Sequence, residues 1–118
     1  AFRSPPLTRR TSRSLDIQRL EQFVLERLDQ RLSVSDLANL ACLSEAHFSE
    51  RFREQTGITP YQFVMRLRLT RVRELTTLTD MPLAEIAERT GFASQSALSH
   101  AFRRRYGHSP MQLRRPSR

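Results

Sequence analysis

The sequence predicts an all-α fold of two related helical units joined by a long helix, and three observations predict it. The chain repeats itself at a separation of about 50 residues, it carries helix start and stop signals at matching places in both copies, and from Pro60 to Leu78 it contains no helix breaker after the proline. The composition agrees: 3 of 118 residues are Gly, 38% are hydrophobic and 27% are charged, the balance of a folded helical chain rather than a disordered tail. A chain of this length holds one compact domain, or two small ones sharing a helix, and excludes a large enzyme.

Residues 1–13, AFRSPPLTRRTSR, are rich in Arg, Ser, Thr and Pro without apolar periodicity. They read as a flexible arm or interdomain linker, so a neighbouring domain is expected upstream. From there Leu15, Ile17, Leu20, Phe23, Val24, Leu28 and Leu32 fall close to one stripe of an amphipathic helix, which serves as scaffold. The first unit is expected over 14–59, the connecting helix over 60–79 and the second unit over 80–116.

The repeat defines the units. Ser44, Ser49, Phe52, Arg53, Gly57, Pro60 and Gln62 recur identically as Ser94, Ser99, Phe102, Arg103, Gly107, Pro110 and Gln112. Upstream, Asp36, Leu37, Ala38 and Leu43 align with Glu85, Ile86, Ala87 and Phe92, so the second copy has one extra residue in its turn. Each copy reads as helix, tight turn, helix and stop. Ser33 with Asp36 forms a capping signal for the first helix of copy one, and Pro82 suits the first turn of its counterpart. The hydroxyls of Ser44 and Ser94 cap the second helices, which end at Gly57 and Gly107. Thr59-Pro60 and Ser109-Pro110 then start further helices. Gly91 supplies a left-handed turn; Cys42 stands at its place in copy one, so that turn is either built differently or strained. Along the connecting helix Phe63, Leu67, Val72 and Leu75 lie at near-helical spacing, and Arg66, Arg68, Arg71 and Arg73 read as a solvated face with local pairing such as Arg71 or Arg73 with Glu74.

The net charge is +8, the isoelectric point about 11.4, and all 20 basic residues are Arg. Such a charge calls for a polyanionic partner, nucleic acid or an acidic membrane surface. The Arg fork fits phosphate and guanine edges, although a GC-rich genome accounts equally well for Arg in place of Lys. A membrane partner would need a basic helix with an exposed apolar face, and here the apolar residues are assigned to cores. The single Cys42 excludes an intramolecular disulfide or a cysteine metal cluster and fits a reducing, cytoplasmic setting; at the end of an apolar helix it is expected as a small buried thiol. His47, His100 and His108 lie in separate segments with no carboxylate or nucleophile spaced for catalysis, so no enzyme, metal site or cofactor is expected.

The stretches S-x-x-x-F-S-x-x-F-R…T-G-I-T-P (Ser44 to Pro60) and I-A-x-x-x-G-F…S-x-x-x-L-S-x-x-F-R-x-x-x-G-x-S-P (Ile86 to Pro110) resemble the signatures of AraC/XylS-type transcription regulators over about residues 15–113. The resemblance implies seven helices in two homeodomain-like helix-turn-helix subdomains. It also implies sequence-specific double-stranded DNA binding, with two recognition helices in adjacent major grooves on one face of bacterial nucleoid DNA. Successive major grooves lie ~34 Å apart, and the connecting helix spans very roughly 25–28 Å. Members usually carry a separate ligand-sensing or dimerising domain, so a monomeric module within a dimeric full-length protein is implied, with RNA polymerase as a further partner.

With Phe48 and Phe52 facing the core, Glu45, Ala46, Ser49, Glu50 and Arg53 fall on or beside the outer face of the first recognition helix. In the second, Leu98 and Phe102 face inward and Gln95, Ser96, Ser99, His100, Arg103 and Arg104 outward. Gln95 suits an adenine edge, and Ser99 a base or a phosphate; plain solvent exposure is the competing reading for each. Ser44, Thr59, Ser94 and Ser109 cap helix starts, where free amides also suit phosphate. His100 stands where the family pattern often has Arg, which makes that contact weaker near neutral pH and pH-dependent. Glu45, Glu50 and Glu54 offset Arg51 and Arg53 in the first helix, whereas Arg103 to Arg105 load the second, so the second unit is expected to anchor and the first to discriminate. The rival reading is an interaction module that docks acidic protein surfaces such as polymerase subunits.

Overall fold

The computed structural model describes residues 14–114, which form seven helices and no strand. They are α1 Ile17–Leu25, α2 Val34–Leu40, α3 Glu45–Thr56, α4 Pro60–Leu78, α5 Leu83–Arg89, α6 Gln95–Tyr106 and α7 Pro110–Arg114. The arm at residues 1–13 lies outside the described residues, as do residues 115–118.

The capping chemistry sets the boundaries. The Asp16 carboxylate accepts from the Arg19 amide at 3.1 Å to open α1. Ser33 and Asp36 form a full capping box before α2, at 3.1 and 2.9 Å. Thr59 and Gln62 do the same for α4, with Pro60 at the first helical position. Pro82 sits one place earlier than expected, as the N-cap of α5 with no side-chain cap bond.

Helix α1 is shorter than its apolar stripe. After Leu25 the backbone tightens, with the Arg27 amide donating to the Val24 carbonyl at 2.9 Å and the Gln30 amide to that of Arg27 at 3.0 Å. These turns still bury Leu28. They also free the Leu28 and Gln30 carbonyls for a long-range partner, a tertiary demand that local periodicity does not report.

Two cores result. Leu20, Val24, Leu28, Leu37, Ala38, Phe48 and Phe52 form the first, with Phe63 and Leu67 of α4 against it. Leu69, Val72, Leu83, Ile86, Ala87, Leu98 and Phe102 form the second. Each substantial helix–helix packing either stays within one unit or involves α4, so α4 is a structural member of both cores rather than a tether.

Arg68 departs from the solvated face expected for the α4 arginines: it is 7% exposed. Its guanidinium donates to the carbonyls of Leu28, of Thr90 at 2.7 Å and of Gln30 at 3.2 Å. Burial pulls its pKa below the ordinary arginine value, opposed by the neighbouring Tyr61. Among the others, Arg71 pairs with Glu74 at 3.1 Å as expected, and Arg73 lies 5.3 Å from the Tyr106 ring centroid. Arg114 of α7 caps the carboxyl end of α4, donating to the carbonyls of Met81 (2.7 Å), Thr79 (2.9 Å), Thr76 (3.1 Å) and Leu75 (3.3 Å).

The two turns are closed alike, by the Leu43 amide on the Ala38 carbonyl and the Phe92 amide on that of Ala87, both at 2.9 Å. Cys42 takes φ 60° where Gly91 takes φ 85°, so the first turn is the same turn with strain, about 1 kcal/mol for a residue with a Cβ. This geometry turns the Cys42 side chain out to solvent, and the thiol is exposed rather than buried.

A Cβ on Gly91 would fall 1.7 Å from the Arg68 guanidinium and 2.3 Å from the Leu28 carbonyl, whereas one on Gly57 or Gly107 would meet nothing within 4 Å. In urea unfolding, Gly57→Ala and Gly107→Ala should each cost about 1 kcal/mol from left-handed backbone strain alone. Gly91→Ala should cost about 3–4 kcal/mol, because overpacking adds to that strain; equal losses at the three sites would contradict the close approach. Cys42→Gly should raise stability by at most about 0.5 kcal/mol, the strain relieved less the entropy of a freer unfolded chain.

Candidate nucleic-acid interface

Helices α3 and α6 follow the turns and carry the candidate contacts. Each is 12 residues long and starts at a serine whose hydroxyl accepts a third-residue amide: Ser44 from His47 at 3.2 Å, Ser94 from Ala97 at 3.0 Å. Each ends in a left-handed glycine. Phe48 and Phe52 are fully buried, as are Leu98 and Phe102. This fixes the rotation of both helices about their axes.

That rotation places the first set as expected, with Glu45, Ala46, Glu50 and Arg53 exposed and Ser49 half-buried at the edge. In the second set Gln95, Ser96, His100, Arg103 and Arg104 are exposed and Ser99 is half-buried. Thr59 and Ser109 are half-buried and lie past the recognition helices. The Thr59 hydroxyl is engaged by the Gln62 amide, while the Ser109 amide donates to Gln112 Oε1 at 2.7 Å. The exposed Arg105 leans along the helix flank, 6.0 Å from the Tyr106 ring centroid. Its counterpart in the first unit, Gln55, instead clamps Leu15 in both directions at 2.8 and 2.9 Å, tying the entry of α1 to α3.

The outer surfaces are electrostatically unequal. Along α3, His47, Glu50, Arg51 and Glu54 share a stretch of surface on which acids balance the base. The last turn of α6 carries Arg103, Arg104 and Arg105, and the helix has no acid. Among the described residues no group of His, Cys, Asp and Glu could hold a metal ion, and no helix is long and apolar enough to cross a membrane.

Sequence reasoning missed Arg68, Arg114 and Gln55 as organisers of this surface. Arg68 and Gln55 reach partners 22 to 40 residues away, and Arg114 reaches 33 to 39 residues back. The only sequence signal was Arg68 standing between the apolar Leu67 and Leu69.

Two helix-turn-helix units with serine-capped recognition helices, built on one shared helix, define the class: a paired helix-turn-helix DNA-binding domain. The chain matches the helix-turn-helix domain family over residues 37–116. It is 38% identical over 96 residues to the transcriptional regulator LumQ of Photobacterium leiognathi, covering 81% of this chain and 39% of LumQ. It is 34% identical over 93 residues to the transcriptional activator RclR of Escherichia coli, covering 79% and 33%. Among solved structures, the DNA-binding domain of the global transcriptional factor AdpA, in complex with a target DNA, superposes with a TM-score of 0.78 at 35% identity, covering 86% of this chain and 91% of that one. The C-terminal domain of the response regulator AraT from Geobacillus stearothermophilus gives 0.77 at 30% identity, covering 84% and 83%. The chain belongs to the AraC/XylS family of transcription regulators, a family of regulators rather than enzymes.

The serine caps are open to a direct check. Ser44→Ala and Ser94→Ala should each lower unfolding stability by about 1 kcal/mol, whereas Ser44→Asp and Ser94→Asp, which keep an accepting side-chain oxygen, should lose little; equal losses for Ala and Asp would show that the side-chain oxygen is not the cap.

Proposed function

We propose that this domain reads two half-sites on one face of duplex DNA, with α3 in one major groove and α6 in the next. The observation that carries it is the shared 19-residue helix α4, which belongs to both cores and whose own length, roughly 28 Å, is comparable with the ~34 Å between grooves. The similar AdpA domain, itself bound to DNA, supports the same reading.

Glu45, Ala46, Ser49, Glu50 and Arg53 supply the first set of contacts, and Gln95, Ser96, Ser99, His100, Arg103 and Arg104 the second. Ser44, Thr59, Ser94 and Ser109 position phosphates beside the helix starts. The base-rich end of α6 anchors by phosphate attraction, and the acid-balanced α3 discriminates, because an acidic side chain tolerates few base edges and repels the backbone. The stretch aligned spans 39% of LumQ and 33% of RclR. On the proposed reading the module works as a monomer within a longer cytoplasmic regulator, where further domains supply dimerisation and effector sensing, and RNA polymerase is met at the promoter.

Selection of bound duplexes from a random pool should return two short motifs about one helical turn apart; a single motif, or none, would sink the two-groove reading. Against the selected site, Arg103→Ala should weaken binding to all sequences and lower the salt slope by about 1, whereas Ser49→Ala should relax base preference and leave the salt slope unchanged. The anchor assignment fails if Arg103→Ala costs no more affinity than Ser49→Ala.

A further inference from the structure

We infer that Arg68 is the residue that sets the spacing of the two recognition helices and so dictates which half-site separation the domain accepts; this rests on the two-groove reading above. The side chain leaves α4 between Leu67, which packs on the first core, and Leu69, which is buried in the second. Its guanidinium reaches both units at once: the Leu28 and Gln30 carbonyls belong to the turns after α1, and the Thr90 carbonyl caps α5. Thr90 is the C-cap of α5, where end carbonyls carry partial negative charge, and Leu28 and Gln30 offer theirs from the turns that follow α1. The charge is thus held by backbone carbonyl oxygens contributed by both units.

The acceptor in the second unit is well placed for control. Thr90 is fully buried, and Gly91, Phe92 and Ala93 lead from it into the Ser94 cap of α6. Gly91 is so close to Arg68 and to Leu28 of the first unit that no Cβ fits. A rotation of the second unit about α4 would have to break the fork or drive the turn into the Leu28 carbonyl. Apart from α4 itself, this is where the units touch through a charged, directional contact. A planar fork can satisfy three carbonyls in fixed directions, whereas an ammonium on a flexible stem fixes no such plane. Arg68 is therefore a positioning residue: it touches no DNA and acts through the placement of α6 relative to α3.

The test uses the selected two-motif duplex together with versions lengthened or shortened by one base pair between the motifs. Each change moves one half-site by about 3.4 Å and about 34°. The wild-type domain should bind the altered duplexes at least tenfold more weakly than the selected one. For Arg68→Lys and Arg68→Met, with helicity checked by circular dichroism, the penalty should shrink to threefold or less even though affinity for the selected duplex falls. An unchanged spacing penalty in a folded variant overturns the inference. A wild-type domain indifferent to spacing overturns the two-groove reading instead. Paired spin labels at Glu54→Cys and Arg104→Cys, in a Cys42→Ser background, give a second readout without DNA. The distance distribution should be narrow with Arg68 and broaden with Arg68→Lys; equal widths, or a distribution already broad with Arg68 in place, overturn it.

Discussion

A single buried guanidinium holds the two halves of this domain in one arrangement. Arg68 lies where the cores meet along α4, and its three carbonyl acceptors come from both units. A buried charge is costly unless it is fully hydrogen-bonded. Here the cost is offset because the turns after α1 and the end of α5 converge on the same side chain. Several other features follow from it. Helix α1 stops early so that Leu28 and Gln30 can offer their carbonyls, and the turn before α6 requires a residue without a Cβ.

The two turns show the same constraint by contrast. Both adopt the left-handed conformation and close with equivalent hydrogen bonds. Only the second is pressed against a neighbouring unit. At Cys42 the side chain points into solvent, so the backbone strain is the whole cost and a non-glycine residue survives there. At Gly91 strain and steric exclusion coincide, and glycine alone satisfies both.

Much of this fold is legible in the sequence because its boundaries are made by neighbours. Ser33 with Asp36, Thr59 with Pro60 and Gln62, and the serine caps and glycine stops of α3 and α6 act over three or four residues. The internal repeat then multiplies each signal by two. The rotation of the recognition helices was legible for the same reason, since Phe48 with Phe52 and Leu98 with Phe102 define an inner face one turn apart. What stayed hidden is long-range. Arg68 has the residue type of a solvated helix face, and only its distant acceptors make it internal. Arg114 reads as one more basic residue near a basic tail, yet it closes the carboxyl end of α4. Cys42 misled because apolar surroundings in sequence suggested burial, while the sign of φ decides where a turn residue points.

The repeat also separates what the scaffold needs from what each head does. At equivalent places the buried residues match in character: Leu37 and Ile86, Ala38 and Ala87, Phe48 and Leu98, Phe52 and Phe102. Between the serine caps and the glycine stops the exposed places diverge: Glu45 answers to Gln95, Ala46 to Ser96, Glu50 to His100 and Glu54 to Arg104, while Arg53/Arg103 and the half-buried Ser49/Ser99 are shared. Two heads of one shape thus carry different charge and different hydrogen-bonding groups. Heads free to swivel could meet half-sites at several spacings, whereas heads fixed on α4 by Arg68 are presented at one. On the proposed contacts, turning the domain around would bring the acid-balanced face to the site that suits the Arg-rich one. On the two-groove reading, the bridge and the unequal faces together give a single chain a direction along DNA, which a symmetric pair of identical heads would lack.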